Sequence, residues 1–382
     1  MINIIVSYIL IVGSFNSSTA AIKNDTKWFN LAIKYAVKNK KPLILTSGKT
    51  YYLDNLDKIL LKENESLEIK GHKNTLIYTS SSNKQLSSLF DIEAKDTNHS
   101  TFQMTGLTID GKSNRVQFFQ KKFEDLRLCI GVTTVGVSNV SIVFVNFKNL
   151  YGGGIKTNIF RSFKANYVNF SNVGGKWPHG DGNDSFGDGI YLGYAAQNAV
   201  ANISNCLITG YSDKINFGGF YKNLSRAGVV AEFNKFSHLD LTISNTKFTG
   251  YQRSIHLEGS NTSLKVNNCT FNRYICGVFV FGYEAKDVYV INSSFMQVYD
   301  KGAFGGAKGV VTGYANNNQA FLTGCRINNP KYYRENEMKA TFTNCVLKFE
   351  QYTPPSRASV FRNCTFQTTS PIVASFGKIL KN

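Results

Sequence analysis

"ISNCLI" (Ile203–Ile208) returns as "ISNTKF" (Ile243–Phe248) and "VNNCTF" (Val266–Phe271), with shortened forms at Ile291–Phe295, Thr343–Leu347 and Arg362–Phe366. Each copy reads apolar, any, Asn or Gly, small, any, apolar, and looser copies end at Ile109, Phe147, Phe170 and Ile327. The closing apolar positions 109, 147, 170, 208, 248, 271, 295, 327, 347 and 366 lie 19–24 residues apart, or 32–40 where a repeat carries an insertion. The copies alternate apolar and polar residues and favour Val, Ile, Phe and Thr, without the three- and four-residue spacing of a helical repeat. A strand unit this short cannot bury a face alone and must stack on its neighbours. The pattern predicts an all-β chain, a right-handed parallel β-helix (a single-stranded solenoid). Successive coils should sit ~4.8 Å apart, so that equivalent residues form columns.

Two columns follow from the repeat. Cys206, Cys269, Cys325, Cys345 and Cys364 share the small slot with Thr246 and Ser293, which predicts a buried column of small side chains. An odd total of seven cysteines then needs neither disulfides nor a metal. Asn205, Asn245, Asn268, Asn292, Asn344 and Asn363 are expected to point inward and satisfy backbone groups. That would shield the N-x-S/T triplets among them from glycosylation.

The chain divides into residues 1–20, 21–50, 51–366 and 367–382. Residues 1–20 hold an uncharged apolar run, Ile4 to Val12, and the small-x-small site Ser18-Thr19-Ala20. They read as a signal peptide, too short to span a bilayer, and predict a periplasmic or secreted protein. Residues 21–50 read as a helical cap and first strand. Asp25 or Thr26 caps a helix whose apolar face is Trp28, Phe29, Ala32, Ile33, Ala36 and Val37, closing the first coil. Residues 51–366 are the β-helix and 367–382 a C-terminal tail.

There are 43 Lys+Arg against 25 Asp+Glu, a net charge of +18, which calls for an anionic partner. Export argues against nucleic acid. The lack of a dense basic block or basic amphipathic helix argues against membrane insertion, leaving acidic polysaccharide. The oligomeric state stays open.

The Asn-Asp-Thr helix followed by "LTSGKTYYL" resembles the leading segment of the pectate-lyase-like β-helix superfamily, which includes polysaccharide lyases, glycoside hydrolases and phage tailspikes. Within it, "GDGIYLG" (Gly187–Gly193), "DKINFGG" (Asp213–Gly219) and "RSIHLEG" (Arg253–Gly259) resemble the exported β-helix proteins of colanic acid exopolysaccharide biosynthesis. The resemblance implies association with polysaccharide and supplies no catalytic assignment.

A second register locates the chemistry. Ile155, Ile190, Val229, Ile255 and Val278 open equivalent strands and should point inward. Alternation then sends Lys156, Tyr191, Val230, His256 and Phe279 outward, and two places on Asn158, Gly193, Glu232, Glu258 and Phe281. Glu232 and Glu258 thereby become neighbours on consecutive coils, with His256 alongside. Asp188, Arg226 and Arg253 are expected at the turn before each strand. Two stacked carboxyls with one proton between them suit a retaining glycosidase. An arginine-paired surface network is the alternative. The candidate catalytic residues are Glu232, Glu258, Asp188 and His256; the candidate substrate contacts are Arg226, Arg253, Tyr191, Trp177 and Lys214, the last two in insertions walling a groove. A lyase would use Arg226 and Arg253 to neutralise a uronate and His256, Lys214 or Tyr191 as base. No cofactor is called for, although Asp181, Asp184 and Asp188 are candidate Ca²⁺ ligands. The sequence thus predicts an enzyme that cleaves or modifies an acidic exopolysaccharide, hydrolase before lyase, with a non-catalytic polysaccharide-binding scaffold as the alternative.

Overall fold

The structure is a computed structural model that describes residues 24–54, 56–72, 74–79, 86–95, 98–111, 128–150, 152–174, 187–210, 225–234, 237–259, 261–282, 287–296, 309–313, 319–329, 339–349, 360–368 and 378–380. Three all-parallel sheets run along it, of thirteen, twelve and nine strands among the described residues. Strands that follow one another in the chain usually fall in different sheets, and each pairs with its equivalent one coil away. The chain therefore winds as a right-handed parallel β-helix, the hand that parallel crossovers take.

The repeat sets the register. All ten closing positions from Ile109 to Phe366 are successive partners in the twelve-stranded sheet. Their rings stack along the core, Phe271 on Phe295 at 4.4 Å and Phe248 on Phe271 at 5.1 Å. The stacking starts earlier than the legible repeat, where Leu43 pairs with Ile69. The glycines before the inward strand residues face this ladder. A Cβ on Gly154 would lie 2.4 Å from Cε1 of Phe170, so the slot demands close approach rather than a turn.

All seven cysteines are free. Cys206, Cys269, Cys325 and Cys345 are buried, as the column predicted. The hydroxyl members knit it together: Thr246 Oγ1 accepts the Cys206 N–H at 3.3 Å, and Ser293 Oγ that of Cys269 at 3.1 Å.

The asparagines turn the other way. Asn245, Asn268, Asn292, Asn344 and Asn363 are exposed, in the left-handed region at φ 48 to 54°. That corner swings each side chain to the surface and its small successor into the core. The amides bond to one another, Asn268 Nδ2 to Asn245 Oδ1 at 2.8 Å and Asn245 Nδ2 to Asn205 Oδ1 at 3.2 Å. The expected shielding of the triplets at Asn268, Asn292 and Asn363 therefore does not hold.

The cap is the helix Thr26–Lys38, which buries Phe29, Ala32, Ile33, Ala36 and Val37 over the first coils. Phe29 meets Tyr51 and Phe90 at 5.8 and 6.1 Å. Trp28, expected on that face, is 55% exposed. Asp25 occupies the N-cap without capping; its carboxylate accepts the Tyr52 N–H, and Asn24 Oδ1 accepts that of Thr26. The helix is thereby tied to the first coil. Among the described residues no helix is long and apolar enough to cross a membrane. The signal-peptide reading of residues 1–20 lies outside the described residues.

Candidate functional site

The nine-stranded sheet carries the second register as read. Ile155, Ile190, Val229, Ile255 and Val278 are successive partners and buried. On the outer face Tyr191 pairs with Val230, then His256, then Phe279; Gly193 pairs with Glu232, then Glu258, then Phe281. Outward does not mean solvent here. Val230 and His256 are fully buried, and the strand Ser225–Glu232 is buried along its whole length.

Asp188 and Arg226 sit within strands Asp188–Gly193 and Ser225–Glu232, and Arg253 within Tyr251–Glu258, rather than at the preceding turns. Arg226 lies one residue before Ala227, the register partner of Asp188, and its guanidinium bridges two carboxylates. Nη1 donates to Asp188 Oδ2 at 2.7 Å and Nη2 to Glu232 Oε1 at 2.8 Å. All three side chains are at most 10% exposed. Burial pushes the Asp188 carboxyl up to about 6; Arg226 opposes the rise and Glu232 adds to it. Burial alone would lower Arg226, but Asp188 and Glu232 together hold it above its usual value. Burial and then the charge of Glu232 push the Tyr191 phenol well up, so it stays a neutral donor. Asp188 Oδ1 is buried with no hydrogen-bond partner among the described residues.

The second half of the cluster is His256 with Glu258 and Arg253. Burial, then Arg253 and Arg226, hold the imidazole well below its ordinary pKa, so it is neutral. Arg253 Nη1 lies 3.3 Å from Nδ1, and a guanidinium only donates, so Nδ1 is the acceptor and Nε2 carries the proton. Nε2 is 3.1 Å from Glu258 Oε2, with its N–H off the line to that oxygen. Phe279 packs against both residues, 5.2 Å from the His256 ring and 4.5 Å from the Arg253 guanidinium.

Ligand atoms of Glu232, His256 and Glu258 all lie within 4.8 Å of one another, which raises a metal. The donor set does not fit one. A ligating Nε2 needs its proton moved to Nδ1, and Nδ1 faces the Arg253 donor rather than an acceptor. Arg226 already supplies the positive charge that Glu232 needs.

The structure therefore gathers seven of the nine candidates: Asp188, Tyr191, Arg226 and Glu232 in one network, Arg253, His256 and Glu258 in the other. Trp177 and Lys214, with Asp181 and Asp184, lie outside the described residues. As for calcium, Asp188 Oδ2 is taken by Arg226. Two contributors were missed. Lys156 lays its ammonium 5.2 Å from the Tyr191 ring centre, and Phe279 backs His256 and Arg253. Both are register neighbours of residues already singled out, so cross-strand pairing was the signal.

No family model matches the chain and no curated protein matches it. Among solved structures, the family 28 exopolygalacturonase of Yersinia enterocolitica is similar with a TM-score of 0.51 and 15% identity, over 94% of this chain and 75% of that one. This chain has the pectate-lyase-like parallel β-helix fold. Weaker likenesses are the tailspike of phage Dettilon (TM-score 0.49, 11% identity, 97% of this chain and 68% of that one) and the A-module of an Azotobacter vinelandii mannuronan C-5 epimerase (0.41, 12%, 94% and 96%). At these identities the likeness reaches the β-helix fold and not its chemistry.

Proposed function

We propose that this β-helix binds an acidic polysaccharide over the coils opening at Ile190, Val229 and Ile255 and cleaves it by hydrolysis. The observation that supports this most is the placement of Glu232 and Glu258, register partners on adjacent coils whose carboxylate oxygens come within 4.8 Å. That closeness suits a retaining mechanism, with carboxyl groups about 5–5.5 Å apart, better than an inverting one. Glu258, the more exposed of the two, is the nucleophile that attacks the anomeric carbon. Glu232, the other carboxyl of that pair, gives the leaving oxygen its proton and then takes one from the water that releases the sugar from Glu258. Asp188, pushed up to about 6 by burial, holds a proton in mild acid beside Glu232 across Arg226. Tyr191 and Arg253 contact the substrate. The net charge of +18 and the exopolygalacturonase likeness in fold agree with an acidic sugar chain.

One observation favours a second reading, a polysaccharide-binding scaffold without catalysis: Arg226 pairs with both Asp188 and Glu232. The two part in one assay. The purified protein is incubated with polygalacturonate, alginate and hyaluronate while reducing ends and the absorbance of unsaturated uronate are followed together. New reducing ends without absorbance are expected. Both signals would mean β-elimination, and binding with neither would leave the scaffold.

A further inference from the structure

A column of left-handed corners runs beside the cluster, one residue beyond the Glu232–Glu258 register: Gly136, Ile159, Tyr194, Phe233, Gly259 and Gly282. Backbone hydrogen bonds confirm the sequence of coils, with Tyr194 N–H to Glu232 O, Phe233 N–H to Glu258 O and Gly259 N–H to Phe281 O. Glycine suits such a corner, and it stands at both ends of the column. The three middle coils instead hold Ile159 at φ 56°, Tyr194 at 49° and Phe233 at 59°. A β-branched or bulky residue there is a backbone outlier that asparagine or glycine would relieve.

The strain gains nothing in the core. Ile159, Tyr194 and Phe233 are 40%, 53% and 50% exposed. Tyr194 and Phe233 stack on each other with centroids 5.1 Å apart, so one face of Phe233 is covered. Its other face looks along the column to Gly259, where an added Cβ would meet nothing within 4 Å among the described residues, and then to Gly282. Among the described residues the column thus carries no side chain for two coils, a step at ~4.8 Å per coil below an aromatic face. Glu258 borders it, and Phe281, 45% exposed, stands one coil further on.

We infer that the step at Gly259 is a saccharide subsite, in which a pyranose ring of an acidic polysaccharide stacks on the free face of Phe233 beside Glu258. An aromatic face offers the C–H side of a sugar a flat apolar partner, and the carboxylate edge takes its hydroxyls. The subsite is continuous with the cluster through the Glu232–Phe233 and Glu258–Gly259 bonds, so a sugar there belongs to the chain whose scissile bond meets Glu258. This inference rests on the polysaccharide reading above and adds a place where the chain is held.

The test is equilibrium binding of wild type, Phe233→Gly, Phe233→Trp and Gly259→Asn to immobilised polygalacturonate, alginate and hyaluronate, with melting temperatures recorded for each protein. Glycine already occupies equivalent corners of this column, and asparagine takes the same left-handed conformation at Asn245 and Asn268, so Phe233→Gly and Gly259→Asn should fold with undiminished melting temperature. Both should bind the polysaccharide that wild type binds roughly tenfold more weakly, while Phe233→Trp stays within about threefold of wild type. Binding by Phe233→Gly within twofold of wild type overturns the subsite and leaves the polysaccharide reading standing. Failure of wild type to bind any of the three overturns both.

Discussion

At the scale of single residues, Asp188 and His256 are buried groups whose titrations oppose each other. The Asp188 carboxyl moves from 3.8 to about 6 on folding. Between those values the folded state holds a proton the unfolded chain has released, so this contribution to stability falls as pH rises. His256 stays neutral in the fold, whereas the unfolded chain protonates it below about 6.5, so its contribution falls as pH drops. The two slopes offset each other between about pH 4 and 6. Asp188→Asn removes one of them, and its melting temperature should fall relative to wild type as pH goes from 6.5 to 4. A difference that does not change with pH would contradict the burial assigned to Asp188. Arg226 should be the costliest of the cluster to lose. Arg226→Ala strands two buried carboxylates and should destabilise by about 3–5 kcal/mol in urea unfolding. The sequence placed Glu232, His256 and Glu258 together because register is a property of alternation. It left the partner of Arg226 open, because a long side chain one residue off the register can reach several acceptors and only its rotamer chooses.

At the scale of the coil, columns decide what each slot tolerates. Gly154 faces the Phe170 ring closely enough that Gly154→Ala should cost about 1–3 kcal/mol by overpacking, measured by urea or thermal unfolding. An unchanged midpoint would mean that the ring yields freely. The cysteine column was legible because small residues repeat where the chain turns into the core. The direction of the asparagines was not. Period-two alternation holds along a strand, but at a left-handed corner the chain breaks step, and Asn245 through Asn363 end outside. The same break hid Tyr194 and Phe233, whose slots read as strand ends until their backbone conformation is known.

At the scale of the molecule, the fold could be read over most of its length because each coil repeats its neighbour, from Ile109 through Phe366. The earlier coils, from Leu43, lack the Asn-small corner and gave no such signal, although they pair in the same sheets. The cap helix was legible from its apolar spacing, yet its end is secured by Asp25 and Thr26 gripping the first coil rather than by capping. What repetition cannot reveal is function, which rests on the residues that depart from it: Asp188 where other coils have Gly153, Ala227, Arg253 and Cys276, and the Glu232–Glu258 pair. The most direct measurement is therefore the turnover and binding of Glu258→Gln beside wild type on the polysaccharide that wild type cleaves. Turnover should fall by at least about a hundredfold while the dissociation constant stays within a few fold. Wild-type turnover in Glu258→Gln would contradict the placement of catalysis on this face of the β-helix.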